Sequence, residues 1–381
     1  MSNFDDMKFG VEAMTGGTNT VLFDDLGMPS IMVAVNKFNI SDVITGGSET
    51  VHPAFIVNNT EKDTVYISKF QNIVRDNRAY SLPLRDPAAS LNADQALTYC
   101  RNKGTGWVNT PYSLWSAIAL WSRKNNTMPH GNNNYGQDIN YPLEKATPSM
   151  AKDGSGRVQR TATGSGPVTW NHNHHSDGIC DLNGNIWEWC SGMRIVAGEI
   201  QIIPNANIFD SSVSNASDSS AWKAIKPDGT LVAPGTSGTL HYDSTFRLAS
   251  SLAAATGSVS GSYSTMGLES DLAVPELAKA LLIYPDEPNG DYGGDYHYWN
   301  VEGERLPICG GYWYSGAHAG VFNVNLYYVR SLVNTNIGFR SALPSMPDQY
   351  IVYGQLPERG DKGACFHSYQ KRKTTGRKVS G

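Results

Sequence analysis

The stretch Gly310 to Arg340, GGYWYSGAHAGVFNVNLYYVRSLVNTNIGFR, reads as two sequences laid over each other. One is a frame of Gly310, Gly311, Trp313, Gly316, Ala317, Ala319, Gly320, Val321, Phe322, Arg330, Ser331, Ile337, Gly338, Phe339 and Arg340. The gaps hold Tyr312, Tyr314, Ser315, His318, Asn323, Asn325, Tyr327, Tyr328, Leu332, Val333, Asn334 and Asn336. Each gap residue is Asn or has a codon reached from an Asn codon, AAC or AAT, by replacing one or both adenines. Lys, Glu, Gln and Met have no such codon, and none occurs in the stretch. Adenine-directed mutagenesis of an Asn-rich template leaves that pattern. The competing reading is an aromatic-rich core strand, since Tyr, Trp and Phe are favoured in strands. Against it, Tyr312/Tyr314 and Tyr327/Tyr328 do not keep the alternation of a half-buried strand. Tyr mixed with Asn, Ser and Gly is also the composition that paratopes favour: large contact area with few torsions to freeze, beside adaptable hydrogen bonding.

Three more motifs precede this stretch. Ser90 to Cys100 predicts a helix capped by Asn92, with Ala93, Ala96, Leu97 and Cys100 at helical spacing. A second helix is expected after Asn109-Thr110-Pro111, with Leu114, Ile118 and Trp121 on one face and Pro111 suited to its first turn. Then comes Asp181-Leu-Asn-Gly-Asn-Ile-Trp-Glu-Trp189. In this order the motifs resemble the variable proteins of diversity-generating retroelements, best known from phage tropism determinants. Their variable region sits on a C-type lectin fold of the formylglycine-generating-enzyme type. The resemblance runs from about Pro53 to Pro344. It departs from the family at Trp107 to Trp115, where the acidic residues are missing while the apolar spacing survives.

The resemblance implies an α+β domain with short twisted antiparallel sheets, two helices and long irregular loops. Trp187, Trp189, Trp313, Phe322, Phe339 and Arg340 would hold the scaffold, and the gap residues would form the binding surface. It implies no catalysis: the two reactive cysteine positions of the related oxidases fall on Ser315 and Gly320, and the thiolate is both metal ligand and reacting group. Cys309 lies before the glycine pair and does not replace them. No cofactor is required, but a structural Ca²⁺ would be carried over onto Asp181, Gly184, Ile186 and Glu188, oxygen ligands on a tight turn. Beside that stands the reading that Asp181 and Glu188 only cap turns. Asn171-His-Asn-His-His175 is a weaker metal candidate: on a strand, His172 and His174 would point the same way, with no carboxylate at a facial-triad spacing.

Composition narrows the function classes. The chain of 381 residues is long enough for a sizeable core. With charged residues at 17% and 38 glycines it reads as loop-rich and globular rather than coiled coil or disordered. A net charge of −5 supplies no global basic field, so nucleic acid is not an expected partner. The first residues lack a basic segment followed by an apolar run, and no stretch approaches a membrane span. Five cysteines without a CxxC pair suggest reduced thiols.

Residues 1–50 are expected to be a short β-rich segment for attachment or oligomerisation, and 51–345 the ligand-binding domain. Within it, about 197–272 is Ser/Ala/Gly-rich with weak periodicity, an insertion of loops and short strands. Pro53 to Val74 predicts strands around an Asn58-Asn59 turn, and Val274 to Tyr284 a helix. Residues 346–381 form a basic tail, expected to be mobile, with Lys371, Arg372, Lys373, Arg377 and Lys378 and an Arg359-Gly-Asp361 tripeptide best put down to chance. The expected partner is a protein or glycan receptor on a host or neighbouring cell surface, and a homo-oligomer is compatible with it. The expected location is a virion, on a phage tail after cytoplasmic synthesis, and the alternative is a bacterial cell surface.

Overall fold

The computed structural model describes residues 3–344, so the basic tail and its tripeptide lie outside the described residues. The architecture is a sheet-rich α+β fold with few helices and short strands. The expected helices form. Ala93–Arg101 starts with a reciprocal cap in which Asn92 Oδ1 accepts from Gln95 N at 2.9 Å and Gln95 Oε1 accepts from Asn92 N at 3.0 Å. Tyr112–Lys124 follows Pro111 and buries nearly its whole surface, including Leu114, Trp115 and Ile118. Each such side chain contributes roughly 1.5–3 kcal/mol by leaving water. Asn58 and Asn59 take positive φ, 49° and 58°, and close the hairpin Ile56–Val57/Thr60–Glu61.

Three larger sheets are seen among the described residues. The first has the order Asn19–Phe23, Pro29–Asn36, Thr64–Ser68, Ser341–Pro344, Val108–Asn109. It ties the N-terminal residues to the last described strand. Residues 3–15 are helical rather than extended: Asp5 and Asp6 favour the first turn, while Met7 and Val11 pack on Val21, Ile31 and Phe70. Residues 3–50 are thus built into the body of the fold.

The second sheet carries the 310–340 stretch. Its order is Ser258–Ser262, Tyr296–Asn300, Gly320–Leu326, Ile308–Gly310, Trp187–Trp189, Ile337–Gly338. It is mixed rather than purely antiparallel. Tyr296–Asn300 runs parallel to Gly320–Leu326, and Ile337–Gly338 runs parallel to Trp187–Trp189. The third sheet grows on Met193–Val196 and Glu304–Arg305 and takes its other six strands from 199–268. These are two or three residues long apart from Glu199–Ile202, which explains the weak periodicity of that region.

One helix and one buried ion pair hold the second sheet in place. Trp115 Nε1 donates to Val321 O at 2.8 Å, so Tyr112–Lys124 lies directly under the strand Gly320–Leu326. Arg340 donates from Nε and Nη2 to the two oxygens of Glu188, both at 2.6 Å, and both residues are buried. Breaking such a pair costs about 3–5 kcal/mol, because one charge is left without its partner.

Candidate ligand-binding face

Most frame residues are buried, Gly316 and Arg330 are half-buried, Ala317 and Ser331 are exposed, and the gap residues divide. Trp313, Val321, Phe322, Ile337, Phe339 and Arg340 are all below a tenth exposed. Tyr314, His318, Val333 and Asn334 are exposed, and Tyr312, Ser315, Tyr327, Tyr328, Leu332 and Asn336 are half-buried. Asn323 and Asn325 do not fit the expected surface: both are buried in the strand Gly320–Leu326. The strand is covered on both faces, and their side chains serve the backbone. Asn323 Nδ2 donates to His318 O at 2.6 Å, and Asn325 Oδ1 accepts from Tyr327 N at 2.8 Å.

The exposed and half-buried gap residues come together. Tyr312, Tyr328 and Leu332 pack over one core cluster that includes Trp187, Trp189 and Phe339. Ring contacts extend the patch from Tyr312 to Tyr314, then to Tyr135 at 5.0 Å. On the other side Tyr327 meets Tyr298 edge-on at 5.6 Å, and His318 stacks on Tyr296 at 3.6 Å. Tyr135, Tyr296 and Tyr298 lie outside the 310–340 stretch, and the sequence reading missed them. In Tyr296–Asn300 the burial alternates, with His297 and Trp299 inward and Tyr296 and Tyr298 half-buried on the other side, but the residues YHYW are all aromatic and carry no alternation that the sequence could show.

Backbone groups hold the display loops. Trp313 N donates to Asn185 O, Gly316 N to Asn133 O, and Trp313 O accepts from Tyr135 N. In the second loop Arg330 O, Asn334 O and Asn336 O accept from Ala93 N, Ser90 N and Trp187 N. Arg330 itself pairs with Asp94 at 2.9 Å and Glu304 at 2.8 Å. Main-chain donors and acceptors are the same whatever side chain a codon specifies, so these anchors survive substitution at the gaps. Gly310 is required where the loop begins: its φ is +93°, and a Cβ there would meet Leu182 O at 2.7 Å.

The face is nearly uncharged at its gap positions. Burial lowers the His318 pKa and favours the neutral ring, and burial raises that of the Tyr312 hydroxyl. Its contacts would therefore come from aromatic area and hydrogen bonds rather than from a charge pattern.

The positions considered for calcium are occupied by nitrogen donors. Gln71 Nε2 lies 3.3 Å from Asp181 O, 3.0 Å from Ile186 O and 3.1 Å from Glu188 Oε1, in the place a cation bound by those oxygens would take. Arg340 takes both carboxylate oxygens of Glu188, and Asp181 Oδ2 accepts from Gly164 N at 2.7 Å. Burial raises the Asp181 pKa to about 6. These residues as arranged do not fit Ca²⁺.

The histidine run is a turn, not a strand. His174 has a φ of +55°, and Asn171 closes the loop on His175 O at 2.7 Å. His172 accepts from Ile179 N through Nδ1 and packs on Trp121, while His174 Nε2 meets Met128 O at 3.2 Å. Among the described residues no three His, Cys, Asp or Glu side chains are grouped to hold a metal ion. Ser315 Oγ accepts from Tyr312 N at 3.0 Å, and Cys309 is fully buried, its thiol pKa raised well above the ordinary value by burial.

No protein-family model matches the sequence, and no curated protein matches it. Among solved structures the fold is similar to Treponema denticola variable protein 1, with a TM-score of 0.33 and 10% identity over 86% of this chain and 99% of that one. It is also similar to the Major Tropism Determinant P3c Variant, with a TM-score of 0.30 and 10% identity over 86% of this chain and 71% of that one. Both names agree with the resemblance carried by the motifs. At such scores the likeness adds no weight to any single residue.

Proposed function

We propose that this chain is a binding protein whose ligand is chosen by the diversified loops 312–318 and 327–336, on a C-type-lectin-like scaffold of the formylglycine-generating-enzyme type. One observation carries the reading. Ten of the twelve gap residues, all but Asn323 and Asn325, are exposed or half-buried, and Tyr312, Tyr314, His318, Tyr327, Tyr328 and Leu332 among them meet in one aromatic patch. Substitution is tolerated there, since surface changes usually stay within about ±0.5 kcal/mol. Tyr anchors with few torsions suit a protein or glycan receptor. The placement we favour is a phage tail, and the second is a bacterial surface. Among the described residues no helix is long and apolar enough to cross a membrane.

An oxidase reading is disfavoured by Ser315 and Gly320, which carry no thiol. A calcium requirement is disfavoured by Gln71 and Arg340, which already satisfy the candidate oxygens. The direct test is deep sequencing of this gene across a population of its source. Substitutions confined to adenines of the gap codons, with a near-copy of codons 310–340 beside a reverse transcriptase gene, support the proposal. Substitutions spread evenly over frame and gap codons overturn it.

A further inference from the structure

A cavity of about 760 Å³ lies beside the display face, lined by Asp295, Asp291, Gly320, Arg123, His130 and Tyr141 among others. Asp295 is its distinctive group. It is only 2% exposed, and its Oδ2 accepts from Phe322 N at 2.8 Å. Among the described residues no donor meets its Oδ1. That oxygen is open to the cavity, where an arriving donor can bond it.

Apart from the exposed Lys124 and Asp291, the other charged groups of the cavity are engaged. Arg123 bonds Asp286 at 3.1 Å and Asp291 O at 2.9 Å, and its guanidinium lies 4.2 Å from the centre of the Tyr292 ring. Asp138 accepts from the backbone N–H groups of Gly131, Asn140 and Tyr141 and from the Asn133 amide. His130 bonds Glu144 through Nδ1 at 2.9 Å and stacks on Tyr141 at 3.7 Å, leaving an aromatic wall. Gly320 makes room for the carboxyl: a Cβ there would lie 2.2 Å from Asp295 Oδ2.

We propose that this cavity binds a primary alkylammonium group, held by the free oxygen of Asp295, with the His130–Tyr141 wall beside its alkyl chain. The ligand is an amine rather than a metal ion, because the lining supplies one unsatisfied carboxyl and no group of three metal-ligating side chains. Burial, opposed by the Phe322 N–H and helped by the charge of Asp291, pushes Asp295 well above the usual carboxylate range. A bound cation would reverse that and hold it ionised. The source is either a free small amine or a lysine side chain of a partner. Both present the same group.

The test is an NMR titration of the full chain with butylammonium, with butanol as the neutral control and with the peptide acetyl-Gly-Lys-Gly-amide. Saturable shifts of the Phe322 amide and the Asp295 carboxyl carbon with butylammonium, absent with butanol, are expected. Tighter binding of the peptide assigns the source to a lysine side chain, and tighter binding of butylammonium to a free amine. Asp295→Asn keeps an acceptor for Phe322 N and should weaken binding by about tenfold or more, the loss of a charge-assisted hydrogen bond. If that variant is unstable, Asp291→Asn and the Asp295 carbon signal in the unaltered chain report instead. No saturable shift at tens of millimolar amine, or equal binding by a folded Asp295→Asn variant, overturns the assignment. None of these probes touches the gap codons, so the result stands or falls apart from the display reading.

Discussion

The strand Gly320–Leu326 and the loop 327–336 carry the same kind of gap residue and treat it in opposite ways. In the strand, Asn323 and Asn325 are buried and bonded to neighbouring backbone. In the loop, Val333 and Asn334 face solvent, with Asn334 Oδ1 accepting from Thr335 N at 2.7 Å, while the main chain is tied to Ser90, Ala93 and Trp187. A position is free to vary when the backbone alone fixes its place, and loses that freedom once its side chain joins the packing.

The largest effect should come from the part of the frame that neither region can do without. Glu188→Ala strands the Arg340 guanidinium in the core and should cost about 3–5 kcal/mol in urea unfolding. Trp187→Ala should cost a similar amount through its cavity, about 3–5 kcal/mol. A loss below about 1 kcal/mol in either would show that the scaffold is not where the packing places it.

The next effect contrasts buried and displayed histidine. Burial lowers the pKa of His172 and His297 from 6.5 to about 3 and of His52 to about 4. The unfolded chain takes up these protons below pH 6.5 and the folded chain does not, so stability is full above 6.5 and is lost as pH falls toward 3–4. Each group should contribute roughly 2 kcal/mol of loss at pH 5. Asp181, with its pKa raised to about 6, acts in the opposite sense: its stabilisation is present below pH 3.8 and is lost as pH rises through 6. His297→Leu, compared with the unaltered chain at pH 7.5 and pH 5, isolates one histidine because the Asp181 share is common to both. Equal pH dependence in the two proteins would mean that His297 titrates normally.

The comparison itself is sharpened by two substitutions of the same kind. Asn323→Tyr overpacks the strand and should cost about 1–3 kcal/mol, whereas Asn334→Tyr should stay within about ±0.5 kcal/mol. Thermal melts of the pair decide it. Equal costs would erase the distinction between strand and loop.

The smallest effects are expected at the surface. Tyr314→Ala, at 60% exposed, should leave the melting temperature nearly unchanged while weakening ligand capture. Adding a chelator should likewise leave the melting temperature in place, since Gln71 and Arg340 hold the Asp181–Glu188 loop. A clear drop with chelator would restore calcium to that loop.

Much of the site could be read without coordinates. The helix after Asn92, the helix after Pro111 and the hairpin at Asn58-Asn59 follow from local chemistry, because caps and turn residues act over three or four positions. The codon pattern separated frame from gap before any burial was known. The N-terminal helix escaped notice although it is rich in apolar residues: Met7 and Val11 pack inward, while Phe9 and Met14 are exposed and blur the pattern. Local pattern did not reveal Tyr135, Tyr296 and Tyr298 as neighbours of the face, since they join it across the sheet and through ring contacts.

By itself the sequence determined which helices and turns form, since capping groups and turn residues are local properties of the chain, and its codon sets are the ground on which variable positions are proposed. Only the tertiary structure decided that Asn323 and Asn325 are core, that Gln71 and Arg340 fill the place of a cation, and that Asp295 keeps one oxygen free beside a cavity. The last two depend on partners between 27 and 272 residues away, and burial, the quantity that sets the chemistry of all three, exists only once distant segments have packed together.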